Sequence, residues 1–534
     1  MANVITRRSF LKAGAQASIA AGLASMVNIP LFLQRALAEG NIGLSGKKLI
    51  FIFLRGGNDG INNIVPVQDP SYAANRALIK IPKDPAALYD QVTGQCDNPG
   101  TLQPYAIRLG NGFAALNPNL YDLAPLYNTG RLALIHRVAY RSQSRSHFDS
   151  EKYWEKAADG TAANKSINDG IFYRAIAESG WNQRHALSGV SFQSNLPQSL
   201  RGLQPMTNLS SINRYNVLGV SGTTSSANGV TVAADRSKLL NAVDAANGRP
   251  FPVKDNREFV HTLGNAFRDT LDIFQDPANG FGSNNFFDTD GKNLFPIAQG
   301  SDHPIAGTNP VQYRFGNGAY GFFQSIKSAA QVLANTDAVI AGTEMGGFDT
   351  HTGQVTAGSP HLGGHANLLR RIGWTFYALS KFFSNTTYSP RVRWEDVVVV
   401  TMSEFGRTSA ENASMGTDHA EASVMYVAGG SINGGVYGCS PTQMNGVDQW
   451  VPGTGAKDGS MFASNASVGY LRRCIDYRSV LGEVIRDHLG ATPAQLNRII
   501  PGYAAESTEH LKTGGLVGAT PASSTPIIGE LGLV

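Results

Sequence analysis

Five apolar runs constrain the fold more than any other feature of this sequence. They are KLIFIFL at 48–54, RLALIH at 131–136, DAVIAG at 337–342, VVVVTM at 397–402 and SVMYVAG at 423–429. None of them alternates apolar with polar residues, which is typical of parallel strands that are covered on both faces. Helical patterns lie between or around them, at 147–157, 257–275, 318–335, 365–383 and 477–489. The alternation predicts an α/β fold, a three-layer α/β/α sandwich with a mostly parallel central sheet.

The domain organisation follows from where this alternation holds. We predict one α/β domain over residues 39–503, and the 42% apolar composition is ample for a large core. Residues 160–315 are rich in Asn, Ser and Gly, which predicts a loop-rich insertion or cap. The small-residue tail at 504–534 is predicted to be flexible. The three cysteines form no C-x-x-C, so a disulfide framework is not expected, although one bridge stays open.

The first 38 residues have the features of an export signal. A twin-arginine motif, TRRSFLKAG, lies at 6–14, a modestly apolar stretch follows at 15–32, and ALA at 36–38 offers a cleavage site before Glu39. Polar residues and Pro30 interrupt the stretch, which disfavours a membrane-spanning helix. We expect export by the twin-arginine translocase to the periplasm or the cell exterior, with no transmembrane segment in the mature chain.

The charge balance argues against nucleic acid as a partner. The whole chain has a formal net charge of +4, but residues 1–38 contain four basic residues and no acidic one. The remainder therefore has 40 basic and 40 acidic residues. Because it shows neither a basic patch nor interleaved aromatic and basic residues, nucleic-acid binding is not expected.

Polar groups lie next to all five predicted strands. RGGNDGINN, HRVAYRSQSRSHFDSEKYWE, GGFDTH and SEFGRT follow the first four strands, and GTDHAEA precedes the fifth. Sites in α/β sheets lie at the carboxyl ends of strands, so we expect these groups to meet at one edge. Their carboxylates and imidazoles suit Zn, Mn, Mg or Ca. The predicted ligands of one or two such ions are Asp59, Asp349, His351, Glu404, Asp418 and His419.

These residues also have structural interpretations, which the sequence leaves open. Gly-Gly in GGFDTH breaks a strand, and Asp349 can close the loop through its own backbone. Asp59 belongs to an Asn-Asp-Gly turn signal, and Asp418 can cap a helix that begins at the next residue. Glu404 can pair with Arg407, three residues later.

The predicted catalytic residues lie in the loops after the second and fourth strands. The sequence contains no G-x-S-x-G elbow and no H-E-x-x-H motif. Ser146 has Asp149 three residues later, which fits a capping box, so a capping role competes with that of a nucleophile. His147 is a further candidate nucleophile or anion contact. Arg145 and Arg407 are candidates for holding a transferred oxyanion.

The motifs together resemble a known family. The twin-arginine leader is followed in order by LRGGNDGINNIVP, SHFDSEKYWE, GGFDTH, TMSEFGRT, GTDHAEA and DYRSVLGEVI, from about Lys48 to Gly490. This combination resembles the domain of unknown function 1501 family, which is thought to share the alkaline phosphatase and sulfatase fold. The resemblance implies an alkaline-phosphatase-like domain in which two metals flank a nucleophile.

The resemblance also implies roles for individual residues. Asp59 matches the aspartate after the first strand, while Asp349 and His351 resemble the aspartate-plus-histidine motif. Glu404 falls at the acid of a late acid–histidine pair, and His419 at the final histidine. Phe405 occupies the position where the late pair has histidine, and residues 142–147 lack a clear nucleophile signature. These departures imply one metal or none.

Two functions from different classes are therefore expected. The first is an exported, metal-dependent hydrolase that acts on small anionic phosphate or sulfate esters. The second is a non-catalytic, degenerate member of the fold that binds a partner protein or an envelope component. The Asp and His groups favour the hydrolase, whereas Phe405 favours the binding protein. An oxidoreductase has no cofactor motif to support it.

Overall fold

The computed structural model describes residues 42–534 except 44, 162–165, 186, 205, 211, 213–268, 271–272, 275–280, 282–284, 303–313, 452–468, 505–509 and 518–524. The twin-arginine motif and the cleavage site lie outside these residues. So does most of the predicted helix at 257–275.

The strands follow the apolar runs closely, and three of the five predicted runs have the observed bounds. In chain order they are β1 (Lys48–Leu54), β2 (Ile64–Val65), β3 (Ile107–Arg108), β4 (Ala115–Leu116), β5 (Leu132–Ala139), β6 (Gly189–Phe192), β7 (Thr207–Leu209), β8 (Ile340–Met345), β9 (Val397–Met402), β10 (Ser423–Gly429), β11 (Gly435–Tyr437), β12 (Gln443–Met444), β13 (Val447–Asp448), β14 (Ile475–Asp476), β15 (Gly515–Val517) and β16 (Thr525–Ile527).

The helices also begin and end near the predicted positions where the two can be compared. They are α1 (Pro70–Asn75), α2 (Ala124–Asn128), α3 (His147–Lys156), α4 (Ile171–Glu178), α5 (Trp181–Arg184), α6 (Tyr320–Asn335), α7 (Gly364–Ser384), α8 (Tyr477–Glu483), α9 (Pro493–Ile499) and α10 (His510–Thr513). A π-helical turn, Val484–His488, continues α8. Short 3-10 helices cover Gly60–Asn62, Pro118–Leu123, Gln198–Leu200, Asn317–Ala319 and Trp394–Asp396.

The central sheet is large, mixed and mostly parallel, which confirms the α/β class. Its described strands run in the order β11-β5-β10-β9-β1-β8-β6-β7, with β14 beside β5. The central strand β1 is parallel to both neighbours, with Leu49 opposite Ile340 on one side and Val398 on the other. Its alternate residues face two separate cores. Ile50, Ile52 and Leu54 pack in one core, and Leu49, Phe51 and Phe53 pack in the other.

Helices cover both of these faces. The stripe of α7 that repeats at three and four residues is buried in the first core, as predicted from Leu368, Leu369, Ile372, Phe376, Leu379 and Phe383. Residues of α4, α8 and α9 line the second core. Burial on both sides explains why the strand sequences lack alternation.

The prediction that the fifth strand, SVMYVAG, is parallel is wrong. β10 runs antiparallel to both β9 and β5. The connection from β9 to β10 (403–422) contains no helix, whereas a parallel pair needs a crossover that is usually helical. This reversal places the amino end of β10, and with it GTDHAEA, at the edge where the parallel strands end.

Two other regions differ from the sequence-based expectation. Within the predicted insertion at 160–315, β6 and β7 join the central sheet, so this part of the predicted single domain is more than a loop-rich cap. Within the predicted flexible tail, β15 and β16 pair, and Leu533 is fully buried. The Leu533 amide donates to the Glu483 carboxylate at 2.7 Å, and this hydrogen bond holds the segment at Leu533 against α8. Apolar residues near the terminus thus extend the second core.

The three cysteines, Cys96, Cys439 and Cys474, are buried free thiols, so none of them forms the bridge that the sequence left open.

Along the part of the chain that is described, no helix has both the length and the apolar character to cross a membrane.

Candidate functional site

The candidate site lies where β1, β5, β8 and β9 end and β10 begins. The loop after β8 contributes GGFDTH, the loop after β5 leads into α3, and the β9–β10 connection contributes SEFGRT and GTDHAEA. Direct polar contacts join seven of the predicted site residues at this edge. They are His147, Asp349, His351, Glu404, Arg407, Asp418 and His419.

Two glycines allow the loops to approach this closely. Gly56 has φ +118°, and a Cβ there would lie 2.3 Å from the backbone nitrogen of Asp349. Gly57 has φ +77°, and its Cβ would lie 2.4 Å from the Phe405 ring. Both the left-handed backbone and the lack of space exclude other residues without rearrangement. The RGG sequence after β1 therefore sets how the loops from β8 and β9 meet.

Three side-chain atoms form a nearly equilateral triangle at the centre of the site. The Nε2 atoms of His351 and His419 are 3.0 Å apart, and each lies 3.1 Å from Asp349 Oδ1. The Asp349 side chain is 47% exposed and that of His351 is 42% exposed, so the triangle is open to solvent. GGFDTH does make tight backbone turns, but the Asp349 carboxylate does not close them. It faces the histidines instead.

A third histidine, His147, approaches Asp349 from the start of α3. Its Nε2 lies 3.5 Å from Asp349 Oδ2. Its ring packs edge-on against His419, with the ring centroids 4.6 Å apart. The atoms of His147, Asp349 and His419 that could bind a metal ion all lie within 4.8 Å of one another.

Each of the three imidazoles has an oxygen acceptor at its other nitrogen. The Nδ1 of His147 lies 2.8 Å from Glu404 Oε1, and that of His351 lies 3.0 Å from Asp418 Oδ1. The Nδ1 of His419 lies 3.1 Å from the carbonyl oxygen of Arg145. In the tautomer that donates Nδ1–H at each contact, the Nε2 lone pairs face the Asp349 carboxylate. Asp418 and Glu404 therefore orient the imidazoles from outside the triangle.

Asp349 is the ionised centre of this arrangement. Burial acts to raise the pKa of Asp349, but the Arg407 guanidinium more than reverses this and lowers the pKa to about 2. Arg407 is 1% exposed and donates to Asp349 Oδ1 and to the carbonyl oxygens of Gly56, Gly57 and Thr417. It is therefore a fixed cation behind the carboxylate.

Glu404 is completely buried beneath His147. Its Oε1 accepts from the Gly56 amide at 2.7 Å as well as from His147, whereas its Oε2 has no hydrogen-bond partner among the described residues. The contact with Glu404 is the main reason why the pKa of His147 is raised. The alternative pairing of Glu404 with Arg407 does not occur, because Arg407 pairs with Asp349.

Phe405 occupies the space beside two of the histidines. It is fully buried, with its ring centroid 4.8 Å from that of His147 and 4.6 Å from that of His419. The family resemblance implied that Phe405 stands where the late acid–histidine pair has its histidine. Here an aromatic ring packs against the imidazoles and contributes no ligand atom.

Asp59 is the predicted ligand that the structure does not place in this cluster. It is fully buried in a two-pronged ion pair with Arg76, at 2.6 and 2.9 Å, and also accepts from Gln354 at 2.6 Å. The helix that Asp418 would cap in the alternative interpretation is also absent. His419 instead forms an isolated antiparallel bridge with Arg407, and Asp418 contacts His351.

The remaining catalytic candidates lie at the start of α3. Ser146 occupies the N-cap position, but its side chain makes no capping hydrogen bond, contrary to the capping-box interpretation. Its side chain lies at an exposed position next to His147. The Arg145 guanidinium donates to the Tyr470 hydroxyl and lies 5.1 Å from the centre of the Tyr470 ring.

Glu151 is a site residue that sequence reasoning missed. Atoms of His147, Glu151 and Glu404 form a second group within 4.8 Å that could hold a cation. Burial raises the pKa of Glu151, which also pairs with Arg55 at 2.9 Å. The signal in the sequence was the four-residue spacing from His147, since residues four apart share a helix face.

The comparison with known proteins covers part of this site. No curated protein matches the chain. A family model does match, over a segment that includes the loops carrying Asp349, His351, Glu404, Asp418 and His419 but not His147. Residues 328–450 match the family described as Protein of unknown function (DUF1501), which confirms the predicted resemblance over that segment.

Proposed function

We propose that this chain is a metal-dependent hydrolase of phosphate or sulfate esters with an alkaline-phosphatase-like fold. One observation carries the proposal. The Nε2 atoms of three histidines face one carboxylate, while each Nδ1 has an oxygen acceptor of its own. Imidazoles that are oriented through Nδ1 by a carboxylate or a carbonyl are typical of metal ligands in proteins.

The argument for a cation is electrostatic. In the tautomer that donates Nδ1–H to oxygen, His351 and His419 have lone pairs on Nε2, and these two atoms are 3.0 Å apart. Two lone pairs and a carboxylate oxygen that face each other repel unless a proton or a metal cation lies between them, and a bound metal satisfies all three atoms at once. In a tetrahedral zinc site with bonds of about 2.0–2.1 Å, the ligand atoms are roughly 3.3 Å apart. The observed separations of 3.0–3.1 Å are close to that value.

The donor set also indicates which metals suit the site. Imidazole nitrogen is a preferred ligand of zinc and other transition metals, whereas magnesium and calcium prefer oxygen. Of the four metals considered, zinc and manganese therefore fit His351, His419 and Asp349 better than magnesium or calcium. When bound, such an ion polarises an ester and lowers the pKa of water.

The residues of the chain have distinct roles in the proposed reaction. Asp418 and Glu404 orient the imidazoles, and Arg407 keeps Asp349 ionised. Arg145, in the loop that leads into α3, is the candidate for contacting the anionic group of a small ester. Ser146 remains the candidate nucleophile, because its hydroxyl is exposed, next to His147 and unused for capping.

A non-catalytic binding protein is the second candidate, and a specific observation favours it. Arg407 already donates to the Asp349 oxygen that belongs to the triangle, and its other arm lies 3.5 Å from His351 Nε2. A permanent cation at this position neutralises part of the charge that a metal would otherwise balance. In that case the chain binds an envelope component and turns over no ester.

Export is part of the proposal. The twin-arginine motif and the small-residue cleavage site support transport by the twin-arginine translocase and a periplasmic or extracellular location. This route carries folded proteins, which is compatible with a metal that is loaded before export.

Elemental mass spectrometry tests the proposal directly. The chain is purified without chelators or affinity metals, and metal content per chain is measured for the wild type and for His351→Ala. We expect near-stoichiometric zinc or manganese in the wild type and its loss in the variant, followed by hydrolysis in a screen of phosphate and sulfate esters. A folded wild-type chain without metal would contradict the proposal. Retained metal without ester hydrolysis would favour the binding protein.

A further inference from the structure

A buried glutamine joins the two loops that carry His351 and His419. Gln354 is fully buried, and its Oε1 accepts hydrogen bonds from Thr350 Oγ1 at 3.0 Å and from Thr417 Oγ1 at 2.9 Å. Thr350 directly precedes His351, and Thr417 lies two residues before His419. One side-chain oxygen thus holds both loops immediately beside the triangle.

Backbone hydrogen bonds align the same two loops. The Thr417 amide donates to the Thr350 carbonyl at 3.1 Å, and the Gln354 amide donates to the Met415 carbonyl at 3.0 Å. The Gly353 amide donates to the Ser414 carbonyl, also at 3.0 Å. The loops therefore form one unit, and Gln354 is the side chain at its centre.

Asp59 sets the orientation of the Gln354 amide. Gln354 Nε2 donates to Asp59 Oδ2 at 2.6 Å, and Arg76 donates to both Asp59 oxygens. Burial acts to raise the pKa of Asp59, but Arg76 more than reverses this and keeps the group ionised. A carboxylate only accepts hydrogen bonds, so Nε2 must face Asp59 and Oε1 must face the two threonines.

We infer that Gln354 is a positioning residue of the candidate metal centre, and that the Asp59–Arg76 ion pair fixes its orientation. Gln354 holds the backbone beside His351 and His419 at the separation that lets both Nε2 atoms face one cation. This inference rests on the proposed metal-dependent function, and it gives Asp59 a supporting role in place of the ligand role predicted from sequence.

Replacement of Gln354 by methionine tests the inference. Gln354→Met keeps a similar volume but removes both the oxygen that joins the two threonines and the donor to Asp59. Gln354→Asn, with a side-chain amide one methylene shorter, is a second variant should Gln354→Met fail to fold. Gln495→Met is the matched control, because Gln495 is also fully buried but lies in α9, where its side chain accepts from the Thr492 amide.

The measurement is the zinc dissociation constant of the full chain, obtained by competition with a chromophoric chelator, with thermal unfolding recorded in parallel. Loss of groups that orient metal ligands weakens affinity by roughly 10–100-fold, and we expect that range for Gln354→Met. The control should bind zinc as the wild type does. Unchanged zinc affinity in the folded Gln354 variants would overturn the inference.

A readout that needs no metal separates this inference from the proposed function. If the wild type binds no zinc, the proposed function fails, and amide hydrogen exchange decides about Gln354. We then expect Gln354→Met, which has a similar volume and no amide, to speed exchange of the Thr417 amide at least tenfold while the Val399 amide in β9 is unaffected. Equal exchange of the Thr417 amide in both chains would overturn the inference.

Discussion

Asp59 and Asp349 lie at the same edge of the sheet, after the neighbouring strands β1 and β8, yet their surroundings differ. Asp59 is fully buried, and both of its oxygens pair with Arg76. The Asp349 side chain is 47% exposed, and the imidazoles of three histidines approach its two oxygens. Arg407 also donates to Asp349, but only one of the two Asp349 oxygens accepts from it.

The difference shows which aspartate has an oxygen that is accessible to a ligand. A buried carboxylate whose oxygens are both paired has no position left for a metal, and removing its partner would leave an isolated buried charge. An exposed carboxylate beside imidazole nitrogens can bind a cation without such a cost. We therefore expect changes at Asp59 to act on stability and changes around Asp349 to act on metal binding.

The largest effect is expected from Asp59→Ala. It leaves the Arg76 guanidinium buried without a carboxylate, which destabilises a protein by about 3–5 kcal/mol. His351→Ala removes a side chain that is 42% exposed and should change the free energy of unfolding by less than about 0.5 kcal/mol. Chemical denaturation of metal-free protein measures both. Equal losses in the two variants would mean that the comparison does not separate stability from ligand binding.

The buried histidine His488 should make the stability of the chain depend on pH. Burial lowers the pKa of His488 to about 4, and this side chain is 3% exposed. Between about pH 6.5 and 4 the unfolded chain binds a proton that folded His488 does not, so stability falls as pH falls, by up to roughly 3 kcal/mol.

Denaturation at several pH values checks this expectation for His488. The variant His488→Gln cannot titrate, so the fall in unfolding free energy between pH 6.5 and 4 should be smaller than in the wild type. The same slope in both chains would show that His488 is not the group that titrates.

Metal should stabilise the chain only through the exposed cluster. Zinc at 100 times its dissociation constant raises the free energy of unfolding by about 2.7 kcal/mol if it binds only the folded state. We expect this gain in the wild type, its loss on addition of a chelator, and no gain in His419→Ala. A zinc-dependent shift of the same size in His419→Ala would place the metal elsewhere.

The smallest effect is expected at the start of α3. Ser146 makes no side-chain capping bond, so Ser146→Ala should change stability by less than about 0.5 kcal/mol. Thr492 caps α9 through its side chain, and Thr492→Ala should lower the free energy of unfolding by about 1 kcal/mol.

If an ester substrate is found, Ser146→Ala should abolish its turnover while zinc binding stays intact. Full activity of Ser146→Ala would remove it as the nucleophile.

Much of the fold could be predicted because strands and helices are determined by local patterns. The runs at 48–54, 397–402 and 423–429 coincide with β1, β9 and β10, since continuous apolar residues must be covered on both faces. The position of GGFDTH after β8 could be predicted in the same way. The direction of β10 could not, because it depends on how the connection at 403–422 packs and not on the strand's own residues.

The amino-acid sequence by itself determined the strands, the main helices and the chemical type of the groups at the sheet edge. Tertiary structure alone decided that β10 is reversed, that Asp59 pairs with Arg76, and that Glu404 orients His147 from 257 residues away. The physical reason is that burial patterns repeat along a few neighbouring residues, whereas these contacts join distant segments. Which partner an aspartate pairs with depends on which side chain the fold brings to it.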